Sequence, residues 1–156
     1  MITIELPDET ATAALAARLA GIARPGDVIA LQGELGVGKT AFARAFIRAC
    51  GGDEAVPSPT FTLVQRYDLP DAAVWHFDLY RLRAAEEAWE LGIEDAFHDG
   101  ISLIEWPERL GVLLPRRRLL VALDFAGKRQ VRRAVLSGDD SWQARLAGLR
   151  AESTSG

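Results

Sequence analysis

The chain has 156 residues, 22 Asp plus Glu against 18 Lys plus Arg, a formal net charge of -4, one cysteine and 49% hydrophobic residues. That length suits one domain with a sizeable core, and the acidic balance excludes a sequence-independent nucleic-acid coat, which needs a basic surface. No stretch approaches the roughly 18 apolar residues of a membrane span, a lone cysteine cannot close an internal disulfide, and the first residues lack a signal peptide's basic start and apolar core, so cytoplasmic residence is expected.

Ile2-Thr3-Ile4-Glu5-Leu6 alternates apolar and polar side chains, which predicts a half-buried strand. Asp8 is the expected N-cap of a helix over 9–22, rich in alanine and leucine and closing near Gly21. Pro25-Gly26 marks a turn, and Val28-Ile29-Ala30-Leu31 reads as a strand delivering the chain to Gly33-Glu34-Leu35-Gly36-Val37-Gly38-Lys39-Thr40. This is a complete G-x-x-x-x-G-K-[ST] phosphate-binding loop, and residues 41–47 carry the chain away as a helix. The glycines let backbone N–H groups turn inward, and the first helical turn adds unpaired donors and a positive dipole end. Lys39 would reach the β- and γ-phosphates of a nucleotide, and the Thr40 hydroxyl would ligate Mg²⁺. A chance match in a chain this long is on the order of one in a few hundred, and Lys39 is one of only two lysines, the other being Lys128.

Gly51-Gly52 stops that helix, and Val56-Pro57-Ser58-Pro59-Thr60 is an extended linker, because each residue before a proline is pushed toward β or polyproline geometry. Strands are predicted over 60–67 and 74–79, joined by a turn at Asp68-Leu69-Pro70-Asp71. Residues 84–98 read as helical with an interruption at Gly92, and Ile101-Ser102-Leu103-Ile104-Glu105 is a short apolar strand ending in an acid, followed by Trp106-Pro107. Runs 119–125 and 130–136 form a second hairpin, and a last helix covers about 141–150. The domain is expected to span 1–150, with 151–156 a disordered tail. The fold class that follows is α/β: a single P-loop NTPase domain whose parallel central sheet is extended by antiparallel strands, with helices on both faces.

A phosphate loop needs a carboxylate opposite its Thr to anchor Mg²⁺. Asp78 and Glu105 each end an apolar strand, at the side of a parallel sheet that faces the ligand crevice. Ser58-Pro59-Thr60-Phe61-Thr62 lies where P-loop enzymes carry a segment that senses the γ-phosphate, so a hydroxyl there could complete the metal shell; the alternative is a stiff connector with capping hydroxyls. Asp124-Phe125-Ala126-Gly127 matches the D-x-x-G of GTPases but sits at a hairpin turn. The chain has no asparagine, hence no guanine-reading N-K-x-D, which favours ATP over GTP. His76 is read as a hydrogen-bonded structural group, Trp106 as core or rim packing, Trp75, Trp89 and Trp142 as core or partial core, and Cys50 as packing. If the flanking runs pair, Arg116-Arg117-Arg118, Lys128, Arg129, Arg132 and Arg133 share one region, either a solvated sheet end or a docking patch for an acidic partner or RNA.

Taken in order, Gly33-x-x-Gly36-x-Gly38-Lys39-Thr40, Ser58-Pro59-Thr60-Phe61-Thr62, His76-Phe77-Asp78-Leu79-Tyr80-Arg81-Leu82 and Ile104-Glu105-Trp106-Pro107-Glu108 make a distinctive set. Over about residues 2–136 the chain resembles the TsaE (formerly YjeE) family, small bacterial P-loop ATPases required to make N6-threonylcarbamoyladenosine at position 37 of tRNAs. The resemblance implies slow hydrolysis of ATP with Mg²⁺ and docking on the TsaB-TsaD heterodimer, any contact with tRNA being indirect. By the same resemblance Gly33, Glu34, Leu35, Gly36, Val37, Gly38, Lys39, Thr40 and Ala41 hold the nucleotide. Lys39, Asp78 and Glu105 carry catalysis, and Thr40, Thr60, Asp78 and Glu105 serve the metal, with the division of labour between the two acids left open. Ala41 stands where many relatives have threonine. Two other readings share the loop. A small-molecule P-loop kinase needs an acceptor pocket and an arginine-bearing lid, of which no clear insertion is present; the other is a nucleotide-gated binding module.

Overall fold

Asp8 caps the first helix as its position predicts, Oδ1 accepting from the Ala11 amide at 2.9 Å. In the computed structural model, which describes residues 1–52, 63–127 and 130–155, the elements are β1 (Ile2–Leu6), α1 (Glu9–Ile22), β2 (Val28–Gln32), α2 (Lys39–Ala49), β3 (Val64–Asp68), β4 (Ala73–Asp78), α3 (Ile93–Asp99), β5 (Ile101–Glu105), β6 (Leu119–Phe125), β7 (Arg132–Gly138) and α4 (Asp140–Ser155), with 3₁₀ helices at Ala85–Leu91 and Pro107–Leu113.

The strands form one sheet in the order β1-β7-β6-β2-β5-β4-β3. Its centre is parallel, β2 pairing with both β5 and β6, and β4 with β5. The additions are antiparallel, β3 on β4 at one side and β7 on β6 then β1 on β7 at the other. Both faces are covered, which is why β2 is apolar and buried from Val28 to Leu31 instead of alternating. Ile29, Leu31, Leu103 and Val121 join Leu19, Phe42, Phe46 and Trp142 in one buried cluster, while Val28, Phe77 and Ile104 pack with Ala88, Ile93 and Leu110 in the other.

Several expectations are refined. The segment before Gly92 is a 3₁₀ helix, and Gly92 separates it from α3 at φ 80. Trp89 on that segment is 47% exposed and so is not a core residue. The last helix runs beyond residue 150, to Ser155. Ala126 donates to the Val131 carbonyl at 3.1 Å, so Asp124-Phe125-Ala126-Gly127 leads into a hairpin turn. The runs flanking the arginines do pair, yet the charges do not converge. Leu119 opposes Gly138 and Phe125 opposes Arg132, so Arg116-Arg117-Arg118 lies at the open end of the hairpin and Arg132 and Arg133 near its turn. Arg117 contacts Asp139 and Arg133 contacts Glu5; residues 128 and 129 lie outside the described residues. Burial pushes the Cys50 thiol up, helped by Asp71, which leaves it a poor nucleophile. Among the described residues no helix is long and apolar enough to cross a membrane.

Arg145 fastens α4 to the start of β2. Its guanidinium bridges both oxygens of Asp27 at 2.7 and 3.1 Å, donates to the Ile22 carbonyl at 3.0 Å and lies 3.8 Å over the Trp142 ring. Both side chains are nearly buried, so Arg145→Ala strands the Asp27 charge and is expected to cost about 3 kcal/mol of stability. A lowered denaturant midpoint with an unchanged nucleotide affinity would bear this out; an unchanged midpoint would make the staple dispensable.

Candidate functional site

β2 carries the chain to the glycine loop, and the loop's shape depends on two glycines. At Gly33 a Cβ would meet the Leu123 carbonyl oxygen at 2.5 Å, so the loop presses directly on β6. Gly38, at φ 115, is the N-cap of α2 and has no side chain to cap it, leaving the amides of that helix's first turn for an anion.

Opposite the loop, Leu31 on β2 is in register with Glu105 on β5, and Glu105 with Asp78 on β4, so the two acids end neighbouring strands at one level. Glu105 is 2% exposed, and its Oε1 and Oε2 lie 2.9 and 3.0 Å from Thr40 Oγ1. Its Oε2 is also 2.7 Å from Nε2 of the fully buried His76. Asp78 Oδ1 accepts from the Tyr80 amide at 3.2 Å, and the Leu79 amide donates to the Glu105 carbonyl at 3.1 Å, which ties the two strand ends together.

Lys39 folds back into this space. Its ammonium donates to the Gly33 carbonyl and lies 3.4 Å over the centroid of the Trp106 ring. Trp106 holds the left-handed conformation at φ 60, a strain typical of ligand sites, and its ring lies 4.8 Å from that of Tyr80. Burial pulls the Lys39 pKa below the ordinary lysine value against the opposing pull of Glu105, Glu108 and Asp78. A polyanion entering here would relieve that penalty.

Leu35, Gly36, Gly38, Lys39, Thr40, Ala41, Asp78 and Glu105 meet, with Tyr80 and Trp106, around one cavity of about 220 Å³. Gly33 and Glu34 turn toward an adjoining hollow of about 610 Å³ beside Glu108. Val37 borders a third, of about 510 Å³, between the loop, Thr10 and Thr12 of α1, and Arg132. Thr60 and the segment 58–62 lie outside the described residues. His76, Trp106, Tyr80 and Arg132 are neighbours that the sequence reading did not assign to the site. Arg132 donates from Nε to the Val37 carbonyl at 3.1 Å, with its guanidinium 4.4 Å from the Phe125 ring. The spacing of His76 and Asp78 puts both on one strand face, which was a usable signal; Arg132 has none, being 95 residues from its loop partner.

A hydroxyl beside a carboxylate is a hard-oxygen donor set, suited to Mg²⁺ whose remaining positions are filled by phosphate oxygens and water. Among the described residues no group of three His, Cys, Asp or Glu side chains could cage a metal by itself.

Together, the parallel core, the glycine loop opening α2 and the strand-end acids define a P-loop protein of the α/β class. A family model described as "Threonylcarbamoyl adenosine biosynthesis protein TsaE" matches residues 6–135. The chain belongs to the TsaE family, which acts in tRNA threonylcarbamoyladenosine biosynthesis. It is 43% identical over 111 residues, 70% of its length, to the tRNA threonylcarbamoyladenosine biosynthesis protein TsaE of Rickettsia bellii (strain RML369-C), covering 77% of that protein. It is 44% identical over 110 residues, again 70% of its length, to the protein of the same name from Rickettsia conorii (strain ATCC VR-613 / Malish 7), covering 63% of it. The crystal structure of Bacillus subtilis YdiB superposes with a TM-score of 0.81 at 27% identity, covering 97% of this chain and 95% of that one.

Proposed function

We propose that this chain binds ATP with Mg²⁺ and hydrolyses it to support the TsaB-TsaD heterodimer in forming N6-threonylcarbamoyladenosine at tRNA position 37. The observation that carries the nucleotide reading is the contact of Thr40 Oγ1 with both oxygens of Glu105 directly across from the glycine loop. Family membership supports the pathway and the partner.

In this reading the loop amides and Lys39 hold the β- and γ-phosphates, and Thr40 and Glu105 hold the metal. When bound, Mg²⁺ supplies neutralisation of charge on the phosphates. Asp78, one strand farther from Thr40, orients the attacking water. The nucleoside occupies the 510 Å³ hollow, where the guanidinium of Arg132 offers a plane for the base.

Calorimetry at millimolar Mg²⁺ tests binding, and reconstituted tRNA modification with TsaB-TsaD, with and without the chain, tests its role. Uptake of adenine nucleotide and multi-turnover product that depends on the chain and fails with Lys39→Ala are expected. Absence of uptake, or full modification supported by the Lys39→Ala protein, would defeat the proposal.

A further inference from the structure

His76 lies between Val74 and Asp78 on one face of β4, and its register partner on β5 is Leu103. Val74 and Leu103 belong to the buried cluster beneath α1 and α2, so an aliphatic side chain would suit the position. An imidazole stands there instead, fully buried, with Nε2 2.7 Å from Glu105 Oε2 and with Nδ1 unpartnered among the described residues. A buried N–H without an acceptor costs more than a buried lone pair without a donor, so the unpartnered Nδ1 is the bare nitrogen and Nε2–H donates to Glu105. The Glu105 carboxylate is thereby held from two sides, by His76 and by the Thr40 hydroxyl.

We propose that His76 is a positioning residue for the metal: its ring, set in a strand paired on both sides, fixes the carboxylate of Glu105 toward Thr40 and so sets how tightly Mg²⁺ joins the bound nucleotide. Glutamate has three side-chain torsions, and without that bond Thr40 is the one hydrogen-bond partner left to its head among the described residues. Groups that orient a ligating carboxylate govern metal affinity without touching the ion. This rests on the nucleotide and metal reading above.

The chain contains two histidines, His76 and His98, so imidazole nitrogen resonances of the unmodified labelled protein are readily assigned. Adding Mg²⁺ to the ADP complex is expected to shift the His76 Nε2–H signal and to leave the exposed His98 unmoved. A proton found on Nδ1, or a His76 signal indifferent to Mg²⁺, would overturn the proposal.

Three variants separate positioning from packing. In His76→Gln the amide nitrogen reaches roughly where Nε2 was; in His76→Asn it stops one bond short; in His76→Phe there is no donor. Calorimetric ADP affinity in EDTA is expected to stay at the parental value in all three, which also shows that they fold. The tightening produced by Mg²⁺ should fall by about 10-fold or more in His76→Asn and His76→Phe and be largely retained in His76→Gln. Full Mg²⁺ tightening in His76→Phe, or equal loss in all three, refutes it. Failure of the parental protein to take up ADP in either buffer would instead bring down the nucleotide reading itself.

Discussion

Lys39→Met protein is expected to melt above the parent when empty, below it in saturating ATP and Mg²⁺, and to hydrolyse ATP at about a hundredth to a thousandth of the parental rate. The crossing follows from how Lys39 is held. Lys39 is buried, and desolvation holds its pKa down despite three nearby acids. A cation whose folded pKa lies below its unfolded value opposes folding fully at neutral pH, and the penalty fades as pH rises through the folded pKa toward the unfolded one. Methionine keeps the stem over Trp106 and removes that penalty. With ligand present the balance inverts, because the parent gains about 2.7 kcal/mol at a hundredfold excess of ligand over Kd, while the variant has lost the charge that grips the phosphates. Thermal melts of both proteins, with and without nucleotide and at neutral and alkaline pH, check each part. A variant that is less stable when empty, or that retains the parental ligand-induced rise, would contradict it.

Glu105→Gln is expected to abolish the Mg²⁺-dependent part of nucleotide affinity and to lower the hydrolysis rate by about 100-fold or more, leaving binding in EDTA intact. The amide preserves the shape and an acceptor for Thr40 while removing the charge. Asp78→Asn should slow hydrolysis and spare the Mg²⁺ effect, because Thr40 contacts Glu105 on β5 and Asp78 ends β4, one strand farther from β2. Affinities measured in EDTA and in Mg²⁺, with single-turnover hydrolysis, separate the two acids. Hydrolysis at the parental rate in Glu105→Gln would remove that residue from the chemistry, and identical behaviour of the two variants would remove the division of roles.

The sheet and its loop were legible because their causes are local. Alternation in Ile2–Leu6, the Asp8 cap, the apolar run entering Gly33 and the break at Gly92 each act within a few residues. The far wall of the site was legible only in part. Asp78 and Glu105 were found because strand-end acids obey a positional rule, but the bond joining His76 to Glu105 spans 29 positions, and nothing short-range announces it. Trp89 shows another limit. It was read as core or partial core from its residue type alone, and residue type does not say which side of the 3₁₀ segment Ala85–Leu91 faces the sheet. The arginines show a third. Pairing of two runs was foreseen, but its direction decides which charges meet, and in an antiparallel hairpin the residues before the first strand lie farthest from those just past the turn.

The strand that launches the glycine loop is also the most enclosed in the sheet, with three strands on one side and three on the other. Backbone amides in such a place exchange with solvent only when the entire molecule opens, whereas those at a sheet's rim exchange through small local excursions. Deuterium uptake in Val28–Gln32 therefore serves as an internal gauge of global stability, against which any ligand-dependent slowing seen in the outer strands can be calibrated within the same sample.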